Sequence, residues 1–430
     1  MSEALFPEGR IGTFVAAQVG GGTPSRQNPG YWNGPIPWAS VKDFDEGQIE
    51  LAETDEYITQ QGLTSSSTNL IPAGTPIVCT RMAVGRVAVA PMDVAINQDL
   101  KAVFPTSPTD TRYFLRLADY AKPRAEAVSV GSTVKGIKVA DYLNIQVPLA
   151  PPPHQSKIAE ILDTLDAAIR GTEAVVAKLK AMKQGLLHDL LTRGIDANGD
   201  LRSPQPEAPD LYKQTPLGWL PKEWNTSKLP GLAQSNRPII KTGPFGSSLK
   251  GEHWRETGRP VITIGSFGES GFIEDELLFI DEKKAKSMIE YEVHPGDVVF
   301  SRVADVGRSL VVEEKEAGWI MSSNLMRICV ERKKLLPALL HIQLRHSVRL
   351  RKQMSQLVNS AGRDVVNSAV LLALDIAVPP GFEQIEIEKA IVCNDEKLVK
   401  EEQQLNKLRV QKSGLMDDLL TGRRPVTALL

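Results

Sequence analysis

The sequence is poor in the residues that carry covalent and metal chemistry. Its 430 residues include three cysteines, Cys79, Cys329 and Cys393, and six histidines. An odd number of widely spaced cysteines offers neither a disulfide framework nor a zinc spacing, and it fits a reducing cytoplasm. No two histidines stand at helical ligand spacing around a glutamate; His341 and His346 are five apart, so on a helix they point in different directions. There is no Gly-Lys dipeptide, which excludes a phosphate-cradling P-loop, and no Asn/Asp-Pro-Pro-Tyr/Phe run to hold an amino group for methyl transfer. Apolar runs stop well short of the ~20 residues of a membrane span. The opening MSEALFPEGR has no basic segment leading into an apolar core, so no secretory signal is expected. A net charge of −2 advertises no polyanionic partner.

What is present is ordinary in composition and unusual in order. Apolar residues make up 42% of the chain, enough to bury real cores, and the length suits about three domains at ~150 residues each. The near-neutral total hides one basic stretch. Residues 327–352 carry Arg327, Arg332, Lys333, Lys334, Arg345, Arg349, Arg351 and Lys352 against Glu331 alone. That reads either as a local positive surface or as a solvated helix face with counter-charges supplied by the fold.

A repeat organises the rest. Gly185-Leu-Leu-His-Asp-Leu-Leu-Thr192 matches Gly414-Leu-Met-Asp-Asp-Leu-Leu-Thr421 at an offset of 229, and Gln155, Lys178, Leu179 and Lys183 fall on Gln384, Lys407, Leu408 and Lys412 without a gap. Within the first copy, Ile158, Leu162, Leu165, Ile169, Thr172, Val176, Leu179, Lys183, Leu186 and Leu190 alternate steps of four and three. The second copy places Ile387, Ile391, Asn394, Leu398, Glu401, Leu405, Leu408, Lys412, Leu415 and Leu419 in the same rhythm. A sustained 3.5-residue period asks for a helical partner, and ~38 residues at 1.5 Å each span roughly 57 Å. The two helices are expected to pair antiparallel about a pseudo-twofold axis, with Thr172 and Glu401 near the midpoint and Asn394 setting register. Residues 194–216, with four prolines and no apolar period, read as an exposed linker.

The two remaining blocks also resemble each other. Gly74-Thr-Pro-Ile-Val-Cys-Thr-Arg81 through Gly85-Arg86 parallels Gly296-Asp-Val-Val-Phe-Ser-Arg302 through Gly307-Arg308, and Gly131-Ser-Thr-Val134 parallels Gly362-Arg-Asp-Val365. Short β-branched runs at 87–89, 261–264 and 298–300 suggest small mixed β-rich domains, the second ending in a helical stretch near 335–358. Gly265 to Gly271 has the wrong spacing for a dinucleotide loop and reads as a turn. The expected organisation is a first head over 1–153, a helix over 154–193, the linker over 194–216, a second head over 217–381, a second helix over 382–422 and a tail over 423–430. The fold class is α+β, two pseudo-twofold-related β-rich heads separated by a long antiparallel two-helix coiled coil.

These features resemble the specificity subunit of a type I restriction–modification enzyme. The likeness is carried by both helix endings, by the lead-ins Val147-Pro148 and Val378-Pro379-Pro380, and by Leu217-Gly-Trp-Leu-Pro-Lys-Glu-Trp224. Within the heads it is carried by Gly22-Thr-Pro-Ser25, Tyr31-Trp-Asn-Gly-Pro-Ile-Pro-Trp38 and Thr242-Gly-Pro-Phe-Gly-Ser-Ser-Leu-Lys250. The resemblance implies two target-recognition domains that each read half of a split, asymmetric DNA target, with the helices as a ruler for the unread spacer. It implies two methyltransferase (modification) subunits and restriction/translocase subunits as partners, with S-adenosylmethionine, ATP and magnesium on those partners, and no cofactor and no catalysis in this cytoplasmic chain. Candidate DNA contacts are Arg81, Arg86, Lys135 and Lys138 in the first head, and Lys241, Ser247, Ser248, Lys250, Arg302, Arg308 and Arg363 in the second. They lie in glycine-bounded loops; arginine suits guanine O6 and N7, lysine suits phosphate. For each, the plain alternative is a surface charge or an internal ion pair. A coiled-coil adaptor with two protein-binding heads would explain the repeat and the missing catalysis, but not the basic stretch.

Overall fold

The structure, a computed structural model, describes residues 6–132, 134–244, 248–269, 271–303, 307–358 and 366–426. The chain is α+β and divides into two compact units, residues 1–174 with 402–430 and residues 175–401. Two helices of 41 residues, Pro152–Thr192 and Gly381–Thr421, contribute to both units, and their bounds differ by the 229 residues of the repeat. Each begins a residue or two before the expected start; Pro152 at the first position loses no hydrogen bond there, because first-turn N–H groups have no intrahelical acceptor. The division between units falls beside Thr172 and Glu401.

Inside each unit the helix segments run antiparallel. In the first, Lys412 pairs with Asp166 and Arg409 with Glu173, both at 2.7 Å. In the second, Lys183 pairs with Asp395 at 2.6 Å. Lys183 and Asp395 are the repeat equivalents of Lys412 and Asp166, so one ion pair is drawn twice. It explains a lysine on a mainly apolar seam. All twenty expected seam positions are buried or half-buried, including Ile158, Leu162, Leu165, Ile169, Val176, Leu179 and Leu186 and their counterparts Ile387, Ile391, Leu398, Leu405, Leu408 and Leu415. Asn394 is 7% exposed, and its Oδ1 has no hydrogen-bond partner among the described residues.

The heads share one plan. A central antiparallel sheet has the order Val15–Gly20, Leu100–Pro105, Pro76–Cys79, Val87–Val89 in the first head. The second head repeats it with Ile240–Thr242, Leu325–Ile328, Val298–Ser301 and Ser309–Val311. A second sheet contains one parallel pair, Trp32–Ala39 with Val94–Ile96, matched by Arg259–Ile262 with Ile320–Met321. Both faces of the central sheet are covered, so its strands read as continuous apolar runs rather than alternating ones. Val78, Val87 and Val103 pack with Phe114 and Leu117 of the helix Thr111–Val128, while Ile77, Cys79 and Leu100 pack with Ile96 of the second sheet. Burial pushes the Cys79 thiol up to about 12, which leaves it inert as a nucleophile.

The duplicated glutamines join each head to its long helix. Gln155 accepts the Asp110 N–H at 3.1 Å and donates to Ala150 O at 2.8 Å; Asp110 caps the helix Thr111–Val128. Gln384 accepts the Leu336 N–H at 2.8 Å and donates to Lys334 O and Pro379 O; Leu336 precedes the helix Pro337–His346.

Three expectations need correction. Residues 194–216 are not simply exposed: Ile195, Arg202 and Tyr212 are buried, and Arg202 grips Glu383 of the second long helix through both carboxylate oxygens, at 2.6 and 3.0 Å. Lack of an apolar period does not entail exposure here, because a buried ion pair anchors the segment. The stretch near 335–358 is two helices, Pro337–His346 and Val348–Leu357, broken where the Ser347 hydroxyl accepts the Leu350 N–H. The first-head helix Thr111–Val128 was not foreseen; Pro123 inside it masks its apolar period. The turn reading of 265–271 fits the Gly268 N–H bond to Gly271 O at 2.8 Å.

Candidate nucleic-acid interface

The loops that carry the candidate contacts leave equivalent strand ends in both heads. Gly22-Thr-Pro-Ser25 follows Val15–Gly20, and the run beginning Gly243-Pro244 follows Ile240–Thr242, the same edge strand of the central sheet. A Cβ at Gly21 would stand 1.9 Å from Ile96 O and one at Gly243 2.0 Å from Ser322 O, so only glycine permits this close approach. In the first head the loop is then held by its tryptophans. Trp38 Nε1 donates to Gly22 O and Trp32 Nε1 to Ser25 O, both at 3.1 Å. Arg26 lies 4.0 Å over the Trp32 ring and pairs with both oxygens of Glu56, holding that carboxyl below its usual range.

Main-chain bonds define which loop residues correspond. Thr80 N–H donates to Asp99 O at 2.8 Å and Arg302 N–H to Asn324 O at 3.1 Å. Ile137 N–H reaches Thr80 O, and Val366 N–H reaches Arg302 O. Arg302 therefore occupies the place of Thr80, and Arg81 stands one residue further on. This corrects the sequence parallel between the two arginines. Arg86 and Arg308 do correspond: each carbonyl accepts from the strand residue Cys79 or Ser301 at 2.8 Å. Each guanidinium is spent inside its own head, Arg86 on Phe44 O at 2.6 Å and Arg308 on Phe267 O.

The remaining candidates differ in freedom. Arg81 is exposed and pairs with Asp99 at 3.1 Å; Lys135 and Lys138 are exposed near it in the chain segment whose Lys135 carbonyl accepts the Met82 N–H. Lys241 is paired with Glu290 and lies 4.9 Å over the Tyr291 ring, which holds the Glu290 carboxyl below its ordinary range. Lys250 is exposed and Ser248 half-buried. Arg302 is half-buried, and its Nε has no hydrogen-bond partner among the described residues. Ser247 and Arg363 lie outside the described residues. The sequence reading passed over Thr23, Arg26, Gln98 and Asp99; Thr23 Oγ1 donates to Gln98 Oε1 at 2.6 Å beside the Arg81–Asp99 pair. Arg26, next to the glycine-rich motif, was the readable signal among them.

The basic stretch does not act as one patch. Arg327 is 5% exposed and donates to Glu292 O, and Arg345 donates to Glu269 O. Exposed charge remains at Arg332, Lys333 and Lys334, just before the first of the two short helices, and at Arg351 and Lys352 within the second. Reactive constellations are equally thin. Among the described residues no group of three metal-ligating side chains converges. Ser309 Oγ and His341 Nδ1 are 3.0 Å apart, but Ser309 has no exposed surface for a substrate to reach.

Residues 8–181 match the sequence profile of the type I restriction modification DNA specificity domain. Over those residues, about two fifths of the chain, the protein is similar to that family. Curated relatives point the same way. The MjaIX specificity subunit of Methanocaldococcus jannaschii is 29% identical over 162 residues, 36% of this chain and 37% of that protein. The EcoR124I/EcoR124II specificity subunit of Escherichia coli is 30% identical over 175 residues, 37% of this chain and 42% of that protein. The chain thus aligns with about two fifths of the length of these relatives. Solved structures extend the likeness of fold to the whole chain. A type I restriction–modification S subunit from M. genitalium superposes with a TM-score of 0.58 at 15% identity, covering 98% of this chain and 97% of that one. A structure described as the basis of assembly and conformational transition of a type I system gives 0.61 at 14% identity, covering 98% and 99%. No helix among the described residues is long and apolar enough to cross a membrane.

Proposed function

We propose that this chain is the DNA-specificity subunit of a type I restriction–modification complex. The observation that carries the reading is the repetition of one head plan with unlike loop chemistry, each head pinned to a long helix by the same glutamine. Like scaffolds carrying unlike loops suit an asymmetric split target, one half-site per head. Two half-sites on one face of a duplex lie about a turn apart, roughly 34–36 Å, a separation that long helices can hold. Two modification subunits and the restriction/translocase subunits dock on this chain. Those partners bind S-adenosylmethionine, ATP and magnesium, methylate adenine N6 on a flipped base and cut unmethylated DNA, and this cytoplasmic chain supplies the binding.

The test is genome-wide mapping of N6-methyladenine with and without this gene. Loss of one split motif on deletion supports the reading and reveals the target. An unchanged methylome in cells that express the partner subunits refutes it and favours an adaptor whose heads bind proteins.

A further inference from the structure

We propose that Arg81 reads a guanine in one half of the DNA target and that Asp99 is the positioning residue that aims it. The inference rests on the DNA-specificity reading and deepens it by naming the base. Arg81 lies on a turn at the end of Pro76–Cys79 whose backbone is held on every side. Thr80 bonds to Asp99 O through both its N–H and its hydroxyl, at 2.8 and 2.9 Å. Ile137 N–H reaches Thr80 O and Met82 N–H reaches Lys135 O. Met82 is held at φ 64°, a left-handed conformation that a side-chain-bearing residue adopts only where its surroundings impose it.

On this rigid turn the Arg81 side chain is 56% exposed, while the Asp99 carboxylate is 12% exposed. Asp99 is itself fixed, its N–H bonded to Asn97 Oδ1 at 3.0 Å. Arg81 uses Nη1 on Asp99 Oδ1, and its Nη2 and Nε have no partner among the described residues. Arg26 and Arg86 are spent within the head on Glu56 and on Phe44 O, whereas Arg81 is aimed by a carboxylate from behind and keeps donors in front. A planar fork with free N–H groups matches guanine O6 and N7. With its guanidinium this exposed, the ion pair holds little of the fold together. Among the described residues the second head lacks the device: Val303 follows Arg302 where Arg81 follows Thr80, and Asn324 stands where Asp99 does. The guanine that this pair reads therefore lies in the half-site met by the first head.

The test uses the full chain assembled with its modification subunits and the duplex identified by methylation mapping. Each guanine of both half-sites is replaced in turn by 7-deazaguanine, which lacks the N7 acceptor. One substitution in one half-site should weaken wild-type binding about tenfold. Arg81→Ala should lose about the same factor on the unmodified duplex and become indifferent to that substitution, and Asp99→Asn should lose part of it at that guanine alone. Arg81→Lys keeps the charge and should still lose the discrimination. Equal weakening of every duplex by Arg81→Ala would assign Arg81 to phosphate, and no change would leave a surface ion pair; either result overturns the proposal. Failure of the broader reading looks different, because wild-type complex would then bind no split target at all. A thermal scan of each variant checks the fold, and Arg81→Lys serves where Arg81→Ala does not fold.

Discussion

Removing Arg202 should uncouple the second long helix from the segment that precedes the second head. Glu383 is fully buried, and its carboxylate accepts two bonds from Arg202 and one from the Ile195 N–H at 2.8 Å. Arg202→Met fills much of the same volume but strands the carboxylate without its cation. Breaking a buried pair in this way costs about 3–5 kcal/mol. The unit concerned spans residues 175–401, and for a body of that size 1 kcal/mol moves the melting temperature by ~2–4 °C. The expected fall is therefore roughly 6–20 °C, in the transition of this unit and not of the other. Tryptophan fluorescence separates them, because Trp219, Trp224, Trp254 and Trp319 lie in this unit and Trp32 and Trp38 in the other. Trp224 is buried beside Gly194, where the segment leaves the first long helix. Arg202→Met with Glu383→Leu should recover most of the loss, short of the cost of an unpaired Ile195 N–H, ~1–3 kcal/mol. Salt at 0.5 M should change little, since a buried pair is poorly screened. A fall of less than about 2 °C for Arg202→Met, or no recovery in the double variant, would refute the reasoning.

Other outcomes follow from the same packing. Gln384→Ala should cost more than Gln155→Ala, each in the range of ~1–3 kcal/mol, because Gln384 makes three main-chain bonds and Gln155 two; melting of the respective units measures this. Asn394→Leu should stabilise its unit by about 1 kcal/mol, since the Asn394 Oδ1 is buried without a partner among the described residues; a lower melting temperature would show that the amide is needed for register. His341 and His346 are held down to about 4, by burial first and then by the nearby Arg345 guanidinium, with Lys183 adding to the effect on both, Arg351 adding to that on His346 and the Asp395 carboxylate opposing it there. The unfolded chain takes up these protons first, so their contribution is complete above pH ~6.5 and is lost as pH falls from there towards 4. The unit should melt progressively lower across that window, and His341→Gln with His346→Gln should flatten the slope.

Periodicity proved a sound guide where one surface decides the outcome. Every seam position from Ile158 to Leu190 and from Ile387 to Leu419 is buried or half-buried, because a helix that pairs with another helix needs only a stripe. The matched loops after Cys79 and Ser301 were legible as a parallel, yet their register was off by one at Arg81. Residue identity favoured aligning the arginines, whereas the hydrogen bonds to Asp99 and Asn324 align Arg302 with Thr80. Burial of charge was the least legible feature. Arg327 and Arg86 look like available cations in a list of residues and prove to be fasteners, and nothing local to Arg202 announces a partner 181 residues away.

The sequence by itself determined the duplication, the lengths and seams of the two long helices, the absence of metal and P-loop signatures, and the resemblance to DNA-specificity subunits. These are properties of spacing and residue type, and a one-dimensional pattern holds them completely. Tertiary structure alone decided which arginines keep donors facing outward, that a proline-rich segment is clamped rather than loose, and that Gln155 and Gln384 fasten heads to helices. Those outcomes depend on which carbonyls and carboxylates the fold brings within hydrogen-bond reach. Partners separated by tens to hundreds of residues meet only after the sheets and helices have packed.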